Sequence, residues 1–158
     1  MMVDISLVIK RQAMKNIKPY FIEITLFLLV LLWFYTASSK LIDFHRFRAQ
    51  MHNQTIPKTL ADILIYTLPA IEIGTALLLL FPKMRLAGLY LSATLLSLFT
   101  GYIALILINY FGRVPCSCGG VLQIMNWPTH FIFNLFYLLL TIYGIYIVYR
   151  ERRSAQTS

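Results

Sequence analysis

The sequence predicts an all-α integral membrane protein, a bundle of four transmembrane helices, and three observations predict it. Hydrophobic residues make up 59% of the 158 and charged residues only 13%, against roughly 45–50% and 25% in soluble domains. Four apolar runs, over residues 20–38, 63–81, 86–110 and 129–149, approach the about 20 residues that cross about 30 Å of hydrocarbon. The charges gather between and beyond these runs, and they do so unevenly. Lys10, Arg11, Lys15, Lys18, Lys83, Arg85, Arg150, Arg152 and Arg153 fall on one side, whereas Lys40, Arg46, Arg48, Lys58 and Arg113 fall on the other. Positive charge favours the cytoplasmic side, so both termini and the turn at 82–85 are expected inside. The spans and their connections use nearly the whole chain and leave no room for a separate soluble domain. The net charge of +8 is therefore a topological signal; membrane lipid, and no nucleic acid, is the expected partner.

Residues 1–19 form a cytoplasmic segment in which Ile5, Val8, Ile9, Met14 and Ile17 alternate with Lys10, Arg11, Lys15 and Lys18. This is the pattern of an amphipathic helix on the inner leaflet. Pro19 is expected to start the first span of the membrane domain, residues 20–149. That span is longer than the roughly 7–15 apolar residues of a signal-peptide core, so it reads as a signal-anchor helix. The outer loop 39–59 carries Leu41, Phe44, Phe47 and Met51 at helical spacing beside Arg46, Arg48 and His52. It predicts a short interfacial helix, broken near Asn53 and ended by Pro57. Thr59-Leu60-Ala61-Asp62 resembles a capping box and marks the start of the second helix.

The second span contains Pro69 and, three residues later, Glu72. A carboxylate at that depth costs roughly 2.5–3.5 kcal/mol on insertion scales, so it is neutral, paired or functional. Lys40, Tyr102 and Asn134 are its candidate partners; Glu23, nearer the inner surface, is expected to reach Lys18 or water. The third span brings Ser92, Thr94, Ser97 and Thr100 with Gly88 and Gly101, small and hydroxyl residues that suit close packing of helices in lipid. In the second outer loop, 111–129, Val121, Leu122, Ile124 and Met125 are expected to dip into the interface. Trp127 sits where interfacial aromatics belong, and Pro128 suits the first turn of the last helix. A basic tail, 150–158, closes the chain.

The chemistry concentrates in Cys116-Ser117-Cys118-Gly119-Gly120, which holds the only two cysteines. Two steps of extended chain separate Cα atoms by roughly 6.6–7.2 Å, whereas a relaxed disulfide wants about 5.5–6 Å. The backbone has to bend to close the bond, and the glycine pair supplies permissive dihedrals. Strained disulfides exchange readily. The charge asymmetry places the pair outside the cytoplasm, where disulfides persist. Three readings stand: redox exchange, a static structural bridge, and a metal site completed by histidines from His45, His52 and His130. His130 opens the last span, one turn above Asn134, and with an unperturbed pKa of about 6.5 it can stabilise a thiolate, shuttle a proton or simply cap its helix. Tyr137, Tyr143 and Tyr146 follow it without establishing a quinone site.

Ser39-Lys40-Leu41-Ile42-Asp43-Phe44 after the first span, Leu68-Pro69-Ala70-Ile71-Glu72-Ile73-Gly74 in the second, and Cys116-Ser117-Cys118-Gly119 before the last together resemble the MauE branch of the DoxX-like membrane proteins. The resemblance covers roughly residues 21–149. The family's cysteine motif is similar to Cys-Gly-Cys followed by an aromatic residue and Gly, and here Ser117 and Gly119-Gly120 depart from it. The resemblance implies a redox-associated bacterial inner-membrane protein that works beside a thioredoxin-like periplasmic partner. It implies that Cys116 and Cys118 are the exchanging pair and that Lys40, Asp43 and Glu72 are family positions without an assigned role. The expected function is thus thiol–disulfide exchange through Cys116 and Cys118, with Glu72 and His130 as further site residues and a quinone as one way for electrons to enter or leave. The alternatives are a non-catalytic subunit of a larger envelope complex and a metal-handling membrane protein.

Overall fold

The computed structural model describes the backbone of residues 5–112 and 126–156 and the side chains of residues 20–112, 126–150 and 153. The described chain is five helices, α1 (Ile5–Ile42), α2 (Phe44–His52), α3 (Lys58–Leu80), α4 (Arg85–Leu107) and α5 (Trp127–Gln156), and it contains no strand. Four segments, Tyr20–Ile42, Lys58–Leu80, Arg85–Leu107 and Trp127–Arg150, are long and apolar enough to cross a membrane.

α1 does not begin at Pro19. Its 38 residues run unbroken through the proline, which at 1.5 Å per residue makes a rod of about 57 Å. A helix already nucleated by the span extends readily into a flank rich in Lys, Arg, Gln, Ala and Met, all good helix formers. At the other end the helix reaches Ile42, beyond the expected limit at residue 38. Asp43, at φ −116° and ψ 59°, breaks the helical backbone there, and its Oδ1 accepts the backbone N–H of Arg46 at 3.2 Å. That capping bond starts α2 in a new direction, and Asn53 closes it, as the sequence expects.

α3 starts earlier than the sequence suggests. Pro57 occupies the N-cap with no side-chain cap bond, because its fixed φ already suits a helix entry. Thr59–Asp62 is therefore not a capping box; the Asp62 carboxylate instead lies 3.3 Å from His52 Nε2. α5 is capped by Asn126, whose Oδ1 accepts the N–H of Thr129 at 3.0 Å, with Pro128 in the first turn as expected. The residues expected to dip into the interface, Val121 to Met125, lie outside the described residues.

The four long helices form a ring in the order α1, α3, α4, α5. α4 packs most extensively on α5 and α1 on α3, and the α1–α5 seam is the lightest of the four contacts. At that seam Phe21 meets Tyr143 edge-on at 4.9 Å, which puts the start of the first span beside the end of the last. Ile22, Leu26, Leu29 and Trp33 make one stripe of α1 and pack with Ala76, Leu79, Leu89, Leu95, Leu96 and Ile147. Phe27, Phe34, Leu98, Phe136 and Leu139 point outward at positions for lipid tails. With apolar solvent outside as well as in, packing and interhelical hydrogen bonds hold such a bundle together. One such bond crosses its middle: the buried Trp33 Nε1–H donates to Ser92 Oγ.

Only Phe81–Met84 separate α3 from α4, and Met84 N–H closes the turn on Phe81 C=O at 2.9 Å. Gly88 allows the tight return. A Cβ there would stand 2.9 Å from the backbone nitrogen of Leu79 and 3.1 Å from the carbonyl carbon of Leu78.

Candidate functional site

The end of the bundle opposite the α3–α4 turn carries α2, the last turn of α1 and the first turn of α5. Lys40, in the last turn of α1, reaches across to Glu72 on α3. Its Nζ donates to Oε1 at 2.8 Å, to Oε2 at 2.9 Å and to the carbonyl of Thr36 at 3.2 Å. These three bonds use all three ammonium protons. The side chain of Glu72 is 1% exposed and that of Lys40 is 11%. A charge withdrawn this far from solvent persists only when paired and hydrogen-bonded, and this pair meets that condition in full. Of the three partners expected for Glu72, the structure selects Lys40.

A roof lies over the pair. Phe47 and Met51, one turn apart on α2, are buried against Ala61, Ile65 and Leu68 of α3. The Phe47 ring centroid is 5.9 Å from Lys40 Nζ, within reach of a cation–π attraction. The apolar side of α2 is thus spent on α3. Beside it, Tyr102 of α4 donates to Gln54 Oε1 at 2.7 Å and accepts from Thr55 at 3.1 Å, tying the α2–α3 connection to α4. Tyr102 is therefore committed elsewhere than Glu72.

His130 stands in the first turn of α5, with its ring stacked on Trp127 at 6.4 Å. It lies at the same end of the bundle as Lys40, because the last turn of α1 and the first turn of α5 share that end. No hydrogen bond joins His130 to Lys40 or Glu72 among the described residues, and its buried Nδ1 has no partner there. Asn134, one turn on, is buried. Cys116 and Cys118 lie outside the described residues, in the connection that leaves α4 at this end and returns into α5. Among the described residues, no three His, Cys, Asp or Glu side chains gather as metal ligands would.

Sequence reasoning thus reached Glu72, Lys40 and the position of His130. It missed Asp43 as a cap, the Gln54–Tyr102–Thr55 network and the Trp33–Ser92 bond. Trp33 had a signal: it falls in the middle of a span, away from the interfaces where tryptophan prefers to sit, and a buried indole N–H needs an acceptor. Glu23 is exposed, in keeping with its expected access to water, and it also pairs with Arg85 of α4, with Nη1 at 2.8 Å from Oε1. The sequence did not point to Arg85, which the fold brings from the start of α4 against α1.

No curated protein and no solved structure matches the chain. The family model described as Methylamine utilisation protein MauE matches residues 18–147, a stretch that includes all four spans almost to their ends, and the chain belongs to this family.

Proposed function

We propose that this multi-pass membrane protein of the MauE family exchanges thiol and disulfide equivalents with an extracytoplasmic partner through Cys116 and Cys118. The observation that carries the reading is one of position. The only two cysteines, one residue apart, lie in the connection that enters α5 directly ahead of His130, whose buried Nδ1 has no hydrogen-bond partner among the described residues.

In this scheme a thiolate of a dithiol partner attacks one sulfur of the Cys116–Cys118 disulfide. The S–S bond breaks, a mixed disulfide forms, and the other cysteine leaves as a thiolate. The partner's second thiolate then attacks the mixed disulfide, so the partner ends oxidised and this protein ends with two thiols. The reverse sequence oxidises this protein. His130 is assigned the role of giving or taking the proton of the leaving thiol. Glu72 acts through Lys40 as a positioning residue that fixes α1 against α3. The chain holds no third cysteine, so the two electrons continue to a second protein, a thioredoxin-like one being the expected class, or to a quinone.

The same reading places the protein in the bacterial cytoplasmic membrane with α2 and the cysteine connection outside, from the charge asymmetry of the loops. A membrane-impermeant maleimide applied to spheroplasts after mild reduction should label both cysteines; labelling only after permeabilisation reverses the orientation. Cys116→Ser and Cys118→Ser, each alone, should accumulate a reductant-sensitive adduct with a partner, and the double variant should not. Full function in the double serine variant would leave the reading of a non-catalytic envelope subunit as the better one.

A further inference from the structure

The connection that carries Cys116 and Cys118 leaves the end of α4 through two tight turns. Asn109 takes the left-handed backbone conformation, at φ 56°, which asparagine tolerates better than most residues. The Tyr110 N–H then reaches back to the Leu105 carbonyl at 3.0 Å and closes the helix in the manner of a Schellman cap. Gly112 turns the chain again at φ 65°, with its N–H on the Asn109 carbonyl at 3.1 Å. Phe111 lies between the two turns.

This path brings the Phe111 ring back to α4. Its centroid is 6.0 Å from that of Tyr102, and Tyr110 meets its other neighbour edge-on, at 5.3 Å from Phe111. Tyr110 is 71% exposed, whereas Phe111 and Tyr102 are half-buried, so the contact that faces the bundle is the one with Tyr102. The Tyr102 ring is itself held from the other side. Its hydroxyl donates to the buried Gln54 and accepts from Thr55. The Gln54 N–H in turn lies on the Met51 carbonyl at 3.2 Å, and Met51 is packed against α3. One side chain therefore joins two connections, the one from α2 to α3 through its hydroxyl and the one from α4 to α5 through its ring.

Anchoring matters for a cysteine pair with so short a span. Closing a disulfide between residues two apart requires a bend. A segment with a fixed root gives up less conformational freedom on bending than one with a loose root.

We infer that Tyr102 is a positioning residue for the cysteine pair: it holds the root of their connection through Phe111 and so favours the disulfide over the dithiol. The inference rests on the exchange reading of Cys116 and Cys118 and adds to it a residue that biases their equilibrium.

The full chain in nanodiscs is equilibrated in glutathione buffers, and dithiol and disulfide are counted by alkylation and mass spectrometry. At one fixed glutathione poise, Tyr102→Ala and Phe111→Ala should each lower the disulfide-to-dithiol ratio by about threefold, the scale of one aromatic contact. The double variant should lower it no further, because both residues act through the same contact. Tyr102→Phe keeps the ring and loses the hydroxyl bonds, so its ratio should fall between wild type and Tyr102→Ala. If the alanine variants do not fold, Tyr102→Phe and Phe111→Leu carry the test, and both should lower the ratio. Amide hydrogen exchange gives a second readout: Tyr102→Phe should speed it at residues 53–56 and at 108–112. A contact that only stabilises the fold would change the exchange and leave the ratio alone. An unchanged or raised ratio overturns the inference and leaves the exchange reading intact, as does a drop that multiplies to about ninefold in the double variant. A wild-type pair that forms no disulfide at any poise overturns both.

Discussion

Glu72 and Glu23 each hold a cation from another helix at 2.8 Å, and little else about the two pairs is alike. Glu72 with Lys40 is closed from solvent at the α2 end. Glu23 with Arg85 lies at the other end, with side chains 59% and 29% exposed, and the buried Arg85 Nε finds no partner among the described residues. In the first pair every donor of the cation is bonded; in the second, water and salt compete for both groups. Distance alone therefore ranks neither. Burial makes the first pair hard to break one member at a time, and exposure makes the second one easy to replace.

The largest effect should come from stranding one charge of the buried pair. Glu72→Lys, which sets two ammonium groups together, should abolish accumulation of folded protein. Lys40→Met or Glu72→Gln should each destabilise by about 3–5 kcal/mol, read as loss of monodisperse protein after heating in detergent. Lys40→Met combined with Glu72→Leu should recover most of that loss, since an apolar replacement of a whole buried pair is often close to neutral. A double variant as unstable as the sum of its parts would mean that the two side chains are not coupled, against the geometry. If the double variant is stable yet inactive in thiol exchange, the pair positions the site and does more than hold the fold.

Next in size is the neutral counterpart, Ser92→Ala, which leaves the Trp33 indole N–H without its acceptor. About 1 kcal/mol of destabilisation is expected, measured by resistance to unfolding in mixed micelles. The smallest effect belongs to Glu23→Gln, at no more than about 1 kcal/mol and diminishing as salt is added. A loss from Glu23→Gln as large as that from Glu72→Gln would break the comparison between the two ends.

The spans were legible in the sequence because lipid imposes a length and a composition, and any run that satisfies both declares itself. Glu72 was legible for the converse reason: a carboxylate in such a run demands an explanation. The choice of Lys40 over Tyr102 and Asn134 required the third dimension, since all three lie on other helices. Local capping signals were weaker guides. Thr59 and Asp62 have the right spacing, yet Pro57 starts the helix before them and His52 takes the acid. The cap by Asp43 and the crossing from Glu23 to Arg85 depend on the sharp exit from α1 and on the order of helices around the ring, and neither leaves a periodic trace. For Cys116 and Cys118 the sequence supplies the chemistry, and both lie outside the described residues.

The approach of Gly88 to the backbone of Leu79 bears on how the chain is built as well as on how it is packed. Four residues between two spans leave no slack for either helix to settle before the other. α3 and α4 are therefore expected to enter the bilayer as one hairpin, already in contact, after α1 has been made and before α5 follows. A methyl group at position 88 would act at that moment, prying the hairpin apart at the backbone before any later helix could hold it closed.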